Sequence, residues 1–550
     1  LSSALSAAAL ALIGSGAWAQ SSGAVPSVGD VVRDLLPAAK PKMPALTDAP
    51  VAKPPVAKSE PAAPTFTFSR LVLQGAESVS EAQVQALGQP FVNQPMGEEA
   101  LAALLQALRQ RLDESGMSLA GIGLPRIDMA SGVVTVVVVE PKLGRVTVPL
   151  GEDAPVSEAR VRGLMSWFGL AEGGALDVDA LERVMFALND MPGVQAKAKL
   201  TPSGDEGIYN LAVQLVPRRS WDGSVSADNQ GLPAIGRIRM SASARLNDPF
   251  GLGDNLDVQG LLSDTLGVKV GRVGYELPVA YTPVRLAMAA SHLRYKLGDD
   301  FKALGASGKA TLLEGSVSYP LIRARSRTLL GRVGVDDKHF QDHMDAFAAN
   351  DGDRRLRTLV LSLSWESRDA YLGGGFWGGG FTQRFGKLSY GGTPDANQAR
   401  AGNFNKTELQ VSRLQTLTGP FTAFVGLGHQ RASRNLDPAE KIGLGGSRGV
   451  RAYAVGEMPS DDGTMLNAEV RWWLDRNWTV FALTDWAHGR LDHEVGGNTV
   501  TLRGSGLGVS ASFPDWVNVR ATLAWRTSRA GVADPGHDKP RLAFQAQHSF

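Results

Sequence analysis

Cysteine is absent from the 550 residues. That excludes a disulfide framework, thiolate catalysis, Cys-ligated zinc and Cys-ligated iron–sulfur clusters. A basic excess is also missing: 56 Lys and Arg stand against 55 Asp and Glu, a net charge of +1. A nucleic-acid binder would carry a clear surplus of cations, so that class has no electrostatic support. Beyond residue 19 there is no unbroken apolar run of the roughly 18 residues that a membrane-spanning helix requires. The run Val133–Val139 is short and β-branched, and it reads as a buried strand. No Gly-x-Ser-x-Gly elbow occurs. The run Gly373–Gly380 lacks the following helix and the Lys-Ser/Thr pair of a phosphate-binding loop, so it is read as a turn or kink near a strand. No enzymatic site, metal site or cofactor is expected.

What is present is glycine, 63 residues, well above the ordinary share of about 7%, and a sharp change of texture along the chain. Residues 1–19 hold an apolar stretch from Ala7 to Ile13 and then Ala17-Trp18-Ala19. They read as a signal peptide cleaved before Gln20, with its start clipped. Within 20–64, Ser27 and Asp30 form a near capping box for a short amphipathic helix. Val28, Val31, Val32, Leu35 and Leu36 share one face of that helix. A Pro/Ala/Lys-rich linker follows to Pro64.

Residues 65–141 and 142–219 read as two small α+β units of the same order, β-α-α-β-β. In the first, Phe66–Leu73 is a predicted strand, Ser80–Leu87 a short helix, and Glu98–Ser115 a helix with Leu101, Leu104, Leu105, Leu108 and Leu112 on one stripe. Strands are predicted near Ile122–Met129 and Val133–Glu140. The second unit has a strand at Gly144–Val148, helices capped by Ser157 and Asp177, and strands near Val194–Leu200 and Tyr209–Val216.

From Ser220 onward, segments of about ten residues alternate apolar and polar positions between Gly, Asp, Asn and Pro. Met240, Ala242, Ala244 and Leu246 alternate with Arg237, Arg239 and Arg245; Leu466, Ala468, Val470 and Trp472 alternate with Glu469 and Arg471; Val519, Ala521, Leu523 and Trp525 alternate with Arg520 and Arg526. One face suits lipid and the other needs water. A closed transmembrane β-barrel over 220–550 meets both demands without an unpaired edge. A soluble sandwich or propeller is the alternative, and the long polar loops between alternate strands weigh against it. About 16 antiparallel strands suit the length. Leu542, Phe544, Ala546, His548 and Phe550 fall on one face of a last strand, and Phe544 and Phe550 form a terminal barrel signal. His339 and His343 are spaced i,i+4, but their Asp- and Ala-rich surroundings read as an extracellular loop, not a metal site.

Several local motifs then resemble one family. The α+β order of each N-terminal unit resembles a POTRA repeat. Asn247–Asp254 resembles the turn after the first barrel hairpin strand, and Tyr319-Pro320-Leu321-Ile322-Arg323 resembles the mid-barrel motif, of the transporters of two-partner secretion (the hemolysin-activator type). Leu444-Gly445-Gly446-Ser447-Arg448-Gly449-Val450-Arg451-Ala452-Tyr453 resembles the Val-Arg-Gly-Tyr tip of that family's long sixth extracellular loop, with Ala452 where Gly is common. The resemblance spans essentially the whole chain. It implies that the loop folds back into the lumen and that Arg451 meets a wall carboxylate. Asp485, in Ala482–Gly489, is the candidate partner, with the Gly two residues later than in the common spacing. A bidentate guanidinium–carboxylate contact suits such a lock. The remaining charges, Arg237, Arg239, Arg245, Glu469, Arg471, Arg520 and Arg526, are expected to line the pore.

The same resemblance implies a plug helix at rest in the lumen and an outer-membrane location with the POTRA units in the periplasm. It implies export of a secreted TpsA-type exoprotein without ATP. The expected partners are that exoprotein, outer-membrane lipid and the barrel assembly machinery during biogenesis, with no nucleic acid, and the chain is expected to be a monomer. A barrel-assembly insertase and a passive porin are the rival readings.

Overall fold

The computed structural model describes residues 27–35, 65–149, 155–346, 352–391, 400–493, 498–513, 516–528 and 539–550. The expected signal peptide, most of the linker and Leu36 lie outside the described residues.

The first α+β unit forms around helices α1 (Glu81–Gly88) and α2 (Glu98–Glu114). Leu104, Leu108 and Leu112, spaced to fall on one face of α2, are fully buried. They pack on Val134, Val136 and Val138, the alternate residues of strand Val133–Val139. That strand pairs in parallel with Arg70–Gln74. Two expected strands are each broken in two. Phe66–Leu73 divides into Phe66–Thr67 and Arg70–Gln74, because Phe68 turns wholly into the core. Ile122–Met129 divides into Gly121–Ile122 and Arg126–Asp128, separated at Pro125. Proline has no N–H to give the ladder.

The second unit follows its expected plan more closely. Ser157 Oγ accepts from Arg160 N (3.3 Å) to start α3 (Glu158–Trp167), and Asp177 Oδ1 accepts from Ala180 N (3.0 Å) to start α4 (Val178–Asn189). Each cap satisfies an N–H that the helix itself leaves unpaired. Strand Val194–Pro202 pairs antiparallel with Ile208–Pro217, which pairs in parallel with Lys142–Thr147. Val194–Pro202 is therefore an edge strand of this sheet.

Residues 221–549 form a closed antiparallel barrel. Its strands are β1 (Trp221–Asp228), β2 (Arg239–Asn247), β3 (Asn255–Ser263), β4 (Val268–Pro278), β5 (Arg285–Lys296), β6 (Ala306–Arg323), β7 (Arg327–Met344) and β8 (Gly352–Asp369). They continue as β9 (Gly375–Gly391), β10 (Gly402–Thr416), β11 (Phe421–Ala432), β12 (Asp462–Trp473), β13 (Trp478–Arg490), β14 (Thr499–Phe513), β15 (Val517–Arg526) and β16 (Arg541–Ser549). β1 closes on β16, with Ser224 opposite Ser549, and Gly223 and Phe550 exchange backbone hydrogen bonds of 3.0 Å. The sandwich alternative fails here, because a closed barrel leaves no sheet edge.

Alternation sorts the side chains as expected. Met240, Val258, Leu313, Val333, Leu361, Val470 and Leu507 project outward and are exposed, as lipid-facing residues must be. Aromatic pairs mark the end of the barrel nearest the α+β units: Trp221–Phe550 (5.6 Å between centroids), Phe421–Trp472 (6.1 Å) and Phe513–Trp516 (5.6 Å). Phe550 thus lies on the outer face. His339 and His343 do not lie in a loop. They belong to β7, which extends past the apolar band, and each faces its own carboxylate, Asp353 (2.8 Å) and Asp345 (3.0 Å). Among the described residues no group of three or more potential ligands could hold a metal.

The second α+β unit is fastened to the turns at this same end. Arg323, at the foot of β6, donates to both oxygens of Asp190 (2.9 and 3.0 Å) and lies 4.4 Å over the Phe186 ring. Arg325 pairs with Glu182, and Arg160 donates to the Ala280 carbonyl (2.7 Å). The Tyr319–Arg323 motif carries a β-bulge between Pro320 and Ile322 that places Arg323 at this junction. In the Asn247–Asp254 turn, Asp254 is fully buried and accepts from Tyr275 Oη (2.8 Å).

Candidate functional site: the loop and helix inside the barrel

Residues 433–461 connect β11 to β12 and return into the lumen. The base of this loop is a two-strand ladder, Ile442–Gly443 against Pro459–Ser460. At the tip, Val450 N donates to Leu444 O (2.8 Å) and Tyr453 N to Val450 O (3.0 Å), giving a tight double turn. Gly446 has φ +96°, and a Cβ there would stand 2.8 Å from Val455 Cγ2. Gly445 is equally confined, its Cβ position lying 2.5 Å from the Ala454 carbonyl. Glycine is required at both positions for these reasons. Ala452 is not among the residues with positive φ, so its Cβ carries no conformational cost.

Arg451 sits at the centre. Its Nε and Nη2 donate to the two carboxylate oxygens of Asp485 (2.9 and 2.7 Å), and its backbone N–H donates to the same group (3.0 Å). Asp485 on β13 points inward and is 2% exposed. Asn467 on β12 bridges the pair, donating to Asp485 Oδ1 and to the Gly449 carbonyl, both at 2.8 Å. Glu469, expected only as a wall charge, is a second direct partner of Arg451. It also receives Arg471 (2.8 Å) and Arg520 (2.6 Å). Burial alone would weaken the charged form of Arg451; the Asp485 and Glu469 carboxylates outweigh it and hold the guanidinium above its ordinary range.

Apolar contacts complete the seat. Val450 and Tyr453 are buried with Leu444, Ala487, Leu502 and Ala524. Arg526 stacks on the Tyr453 ring at 4.5 Å. Gly504 on β14 leaves room for the tip, since a Cβ there would lie 2.7 Å from Ala452 Cβ. The displaced glycine of the wall motif also has a reason. Ala487 is fully buried under the tip, whereas a Cβ at Gly489 would meet Ser460 Oγ at 2.8 Å.

Of the other expected wall charges, Arg239 pairs with Asp228 (2.9 Å) and Arg245 stands opposite Asp222 in register. Arg237 is a correction: β2 begins at Arg239, so Arg237 lies in the preceding turn, where its carbonyl accepts from Gly231 N (2.9 Å).

The N-terminal helix is Val28–Leu35, and it lies in the lumen at the end remote from the α+β units. Ser27 donates to Asp30 Oδ2 through both N–H (3.0 Å) and Oγ–H (2.8 Å), the capping arrangement expected from sequence. Val28, Val31 and Val32 are buried against Leu293, Tyr295, Phe340 and Leu356 of the wall and Leu436 of the loop, with Leu35 at the margin. Burying each such valine contributes about 1.5 kcal/mol or more. A buried polar relay ties helix, wall and loop together. Asp342 on β7 accepts from Val28 N (2.8 Å), Tyr295 Oη (2.8 Å) and Arg354 Nη1 (2.6 Å), and Arg354 also donates to Asp437 of the loop (2.6 Å). Glu440 of the loop takes Lys338 (2.6 Å) and Lys406 (2.8 Å) from the wall.

Sequence reasoning did not single out Asp342, Arg354, Asp437 or Glu440. The inward parity of Arg354, Lys338 and Lys406 was available as a signal. Nothing periodic marks Asp437 or Glu440.

The comparisons agree with this geometry. The sequence pattern of the family described as Haemolysin secretion/activation protein ShlB/FhaC/HecB matches residues 207–511, and a POTRA domain of the ShlB type matches 66–141. The chain belongs to the ShlB/FhaC/HecB family. Within it, the chain is 27% identical over 303 residues to the heme/hemopexin transporter protein HuxB of Haemophilus influenzae strain 86-028NP, covering 54% of this chain and 53% of the relative. It thus spans about half the length of the HuxB proteins it matches. The outer membrane transporter CdiB of Escherichia coli strain 536 is 24% identical over 85% of this chain and 83% of its own. The solved CdiB structures from Escherichia coli and Acinetobacter baumannii share the fold. Their TM-scores are 0.74 and 0.70, at 21% and 17% identity; they cover 91% and 92% of this chain and 94% and 95% of their own. This ShlB-type chain is therefore an outer-membrane barrel with its POTRA region on the periplasmic side, and the barrel end bearing the loop and helix faces the cell exterior.

Proposed function

We propose that the protein exports a large unfolded exoprotein, of the TpsA type, from the periplasm to the cell surface. The observation that carries this reading is a polar lumen filled by two segments of the chain itself, the Val28–Leu35 helix and the 433–461 loop, neither of which is a strand of the closed barrel wall. A permanent pore has no need of such contents. The POTRA units supply the capture surface. The edge strand Val194–Pro202 offers backbone groups to which an extended cargo segment adds as a further strand. No nucleotide enters this scheme; folding of the cargo outside supplies the drive. No enzymatic step is involved, and the exporter acts as a monomer. The relatives named as heme/hemopexin transporter and CdiB outer-membrane transporter support cargo export as the activity class. Insertion by the barrel assembly machinery would use Phe544 and Phe550 on the outer face of the last strand.

The test is secretion of a co-expressed exoprotein in cells carrying the wild type, Arg451→Ala, or a deletion of residues 65–217, with barrel content of the outer membrane measured in each. Retention of the exoprotein with normal barrel content is the expected result. Normal export without 65–217 would remove the capture step from the scheme.

A further inference from the structure

The outer wall of the barrel carries a feature that neither the lumen nor the POTRA units use. On β5 to β9, at the end remote from the periplasm, the outward alternation changes abruptly from apolar to cationic. Leu359 and Leu361 on β8 are succeeded by Arg357 and Arg355; Phe381 and Phe385 on β9 by Lys387; Leu313 on β6, past Thr311, by Lys309; Met288 on β5, past His292, by Arg294. All five cations are exposed.

Register makes this more than a polar rim. Arg294 stands directly opposite Lys309, and Arg357 directly opposite Lys387. Like charges in directly opposed positions of an antiparallel pair destabilise the sheet. The carboxylates nearby, Asp337 and Asp353, are fewer than the cations and offset them only in part, Asp353 lying within reach of Lys309. Asp337 serves Arg355 (2.5 Å) and Arg357 (3.5 Å) together, and Asp353 is engaged by His339 (2.8 Å). The other half of the barrel wall differs in kind: its outward cations Arg431, Arg490 and Arg503 stand opposite Thr407, Asp462 and Trp486.

We infer that this wall binds the phosphorylated headgroup of a glycolipid of the outer leaflet, with its acyl chains lying on the apolar band below. The register supplies the reason. Two repelling cation pairs are relieved when a phosphate sits between them, and guanidinium groups recognise phosphate oxygens in pairs. Position supplies the source: the cations begin where the lipid-facing residues stop, which is the depth of headgroups and not of free solutes.

The test uses the full chain in detergent, with diphosphorylated lipid A, dephosphorylated lipid A and inorganic phosphate as probes, read by native mass spectrometry and thermal unfolding. Arg294→Gln with Lys309→Gln, and Arg357→Gln with Lys387→Gln, are compared with Arg431→Gln with Arg503→Gln. Each cation-pair variant is expected to weaken diphosphorylated lipid A about tenfold, one charge-assisted contact or more, while the control pair stays within about twofold of the wild type. A second readout separates this from simple misfolding. Without lipid, Lys387→Gln is expected to raise the unfolding temperature, because it removes a repulsion; with lipid A present, the wild type becomes the more stable of the two. Equal binding by all variants, equal binding of dephosphorylated lipid A, effective competition by inorganic phosphate at equal concentration, or a lower unfolding temperature of lipid-free Lys387→Gln would each overturn the inference.

Discussion

The guanidinium at the centre of the loop tip meets two carboxylates that are not equivalent. Asp485 receives Arg451 in bidentate fashion and also takes its backbone N–H, so it fixes the tip conformation. Glu469 receives three arginines. Removing its charge leaves Arg471 and Arg520, both partly exposed, without this anion and Arg451 with Asp485 alone, and each charge-assisted hydrogen bond lost is worth about 1.5–3 kcal/mol at most. Glu469→Gln is therefore expected to destabilise the barrel in urea unfolding more than Asp485→Asn does. An Arg451→Ala and Asp485→Ala double-mutant cycle should return a coupling of about 1–3 kcal/mol. Arg451→Lys keeps charge but cannot span both carboxylates, so protease should cut residues 433–461 faster in that variant than in the wild type. Gly504→Val is a steric counterpart: it should expose the same loop to protease while β14 stays paired, because the clash is with Ala452 and Val450. At this scale Arg451, Tyr453 and Asp485 were legible only through the family resemblance, carried by the Gly-Gly and Val-Arg-x-Tyr run for the first two and by the Ala482–Gly489 stretch for the third. Glu469 was legible as an inward residue through its parity on β12. Its role in the lock was not, because a loop's depth in a lumen leaves no mark on the alternation of a strand.

Among the elements, the Val28–Leu35 helix is held by its N-terminus and one apolar face. Gly29 makes the approach possible: a Cβ there would stand 2.9 Å from Arg354 Nη2 and 3.0 Å from Asp437 Oδ1. Gly29→Val is expected to lift the helix from its seat. In planar bilayers the variant should open more often than the wild type, with the barrel's unfolding temperature unchanged within a few degrees. Asp342→Ala should act the same way more strongly, since Val28 N–H, Tyr295 and Arg354 lose a common acceptor. An unchanged opening frequency in both would show that the helix does not limit conductance. The helix's existence and apolar face were plain from Ser27, Asp30 and the valine spacing. Its partners were not, because Tyr295, Asp342 and Arg354 come from separate strands and Asp437 from a loop, and only the return of that loop into the barrel brings all four to the helix.

Over the whole molecule, the proposed export route requires that the second α+β unit and the lumen remain aligned, and, with Arg160 and Arg325, Arg323 is one of the ties between them. It pairs with Asp190 and stacks on Phe186 at once. Arg323→Ala should reduce exoprotein secretion while barrel content in the outer membrane stays normal. Arg323→Lys should fall between, retaining charge without the planar stack. Secretion equal to wild type in Arg323→Ala would mean that the junction does not steer export.

The sequence by itself determined the large divisions: two α+β units with their helix caps, a barrel domain with an apolar outside and a polar inside, and a last strand ending on an outward Phe. These follow from local rules, the 3.6-residue period of helices and the two-residue period of strands, which need no knowledge of distant residues. The chain's length admitted roughly twelve to eighteen strands, and closure of the sheet decided sixteen. Tertiary structure alone decided the rest. Strand register set Arg294 against Lys309 and Arg357 against Lys387. Closure brought Asp342, Arg354 and Asp437 to one helix, and return of the loop gave Arg451 a second carboxylate in Glu469. The physical reason is that the charged contacts seating the loop and helix join residues of separate strands and loops, and their pairing is fixed by the geometry of the closed wall rather than by any local pattern.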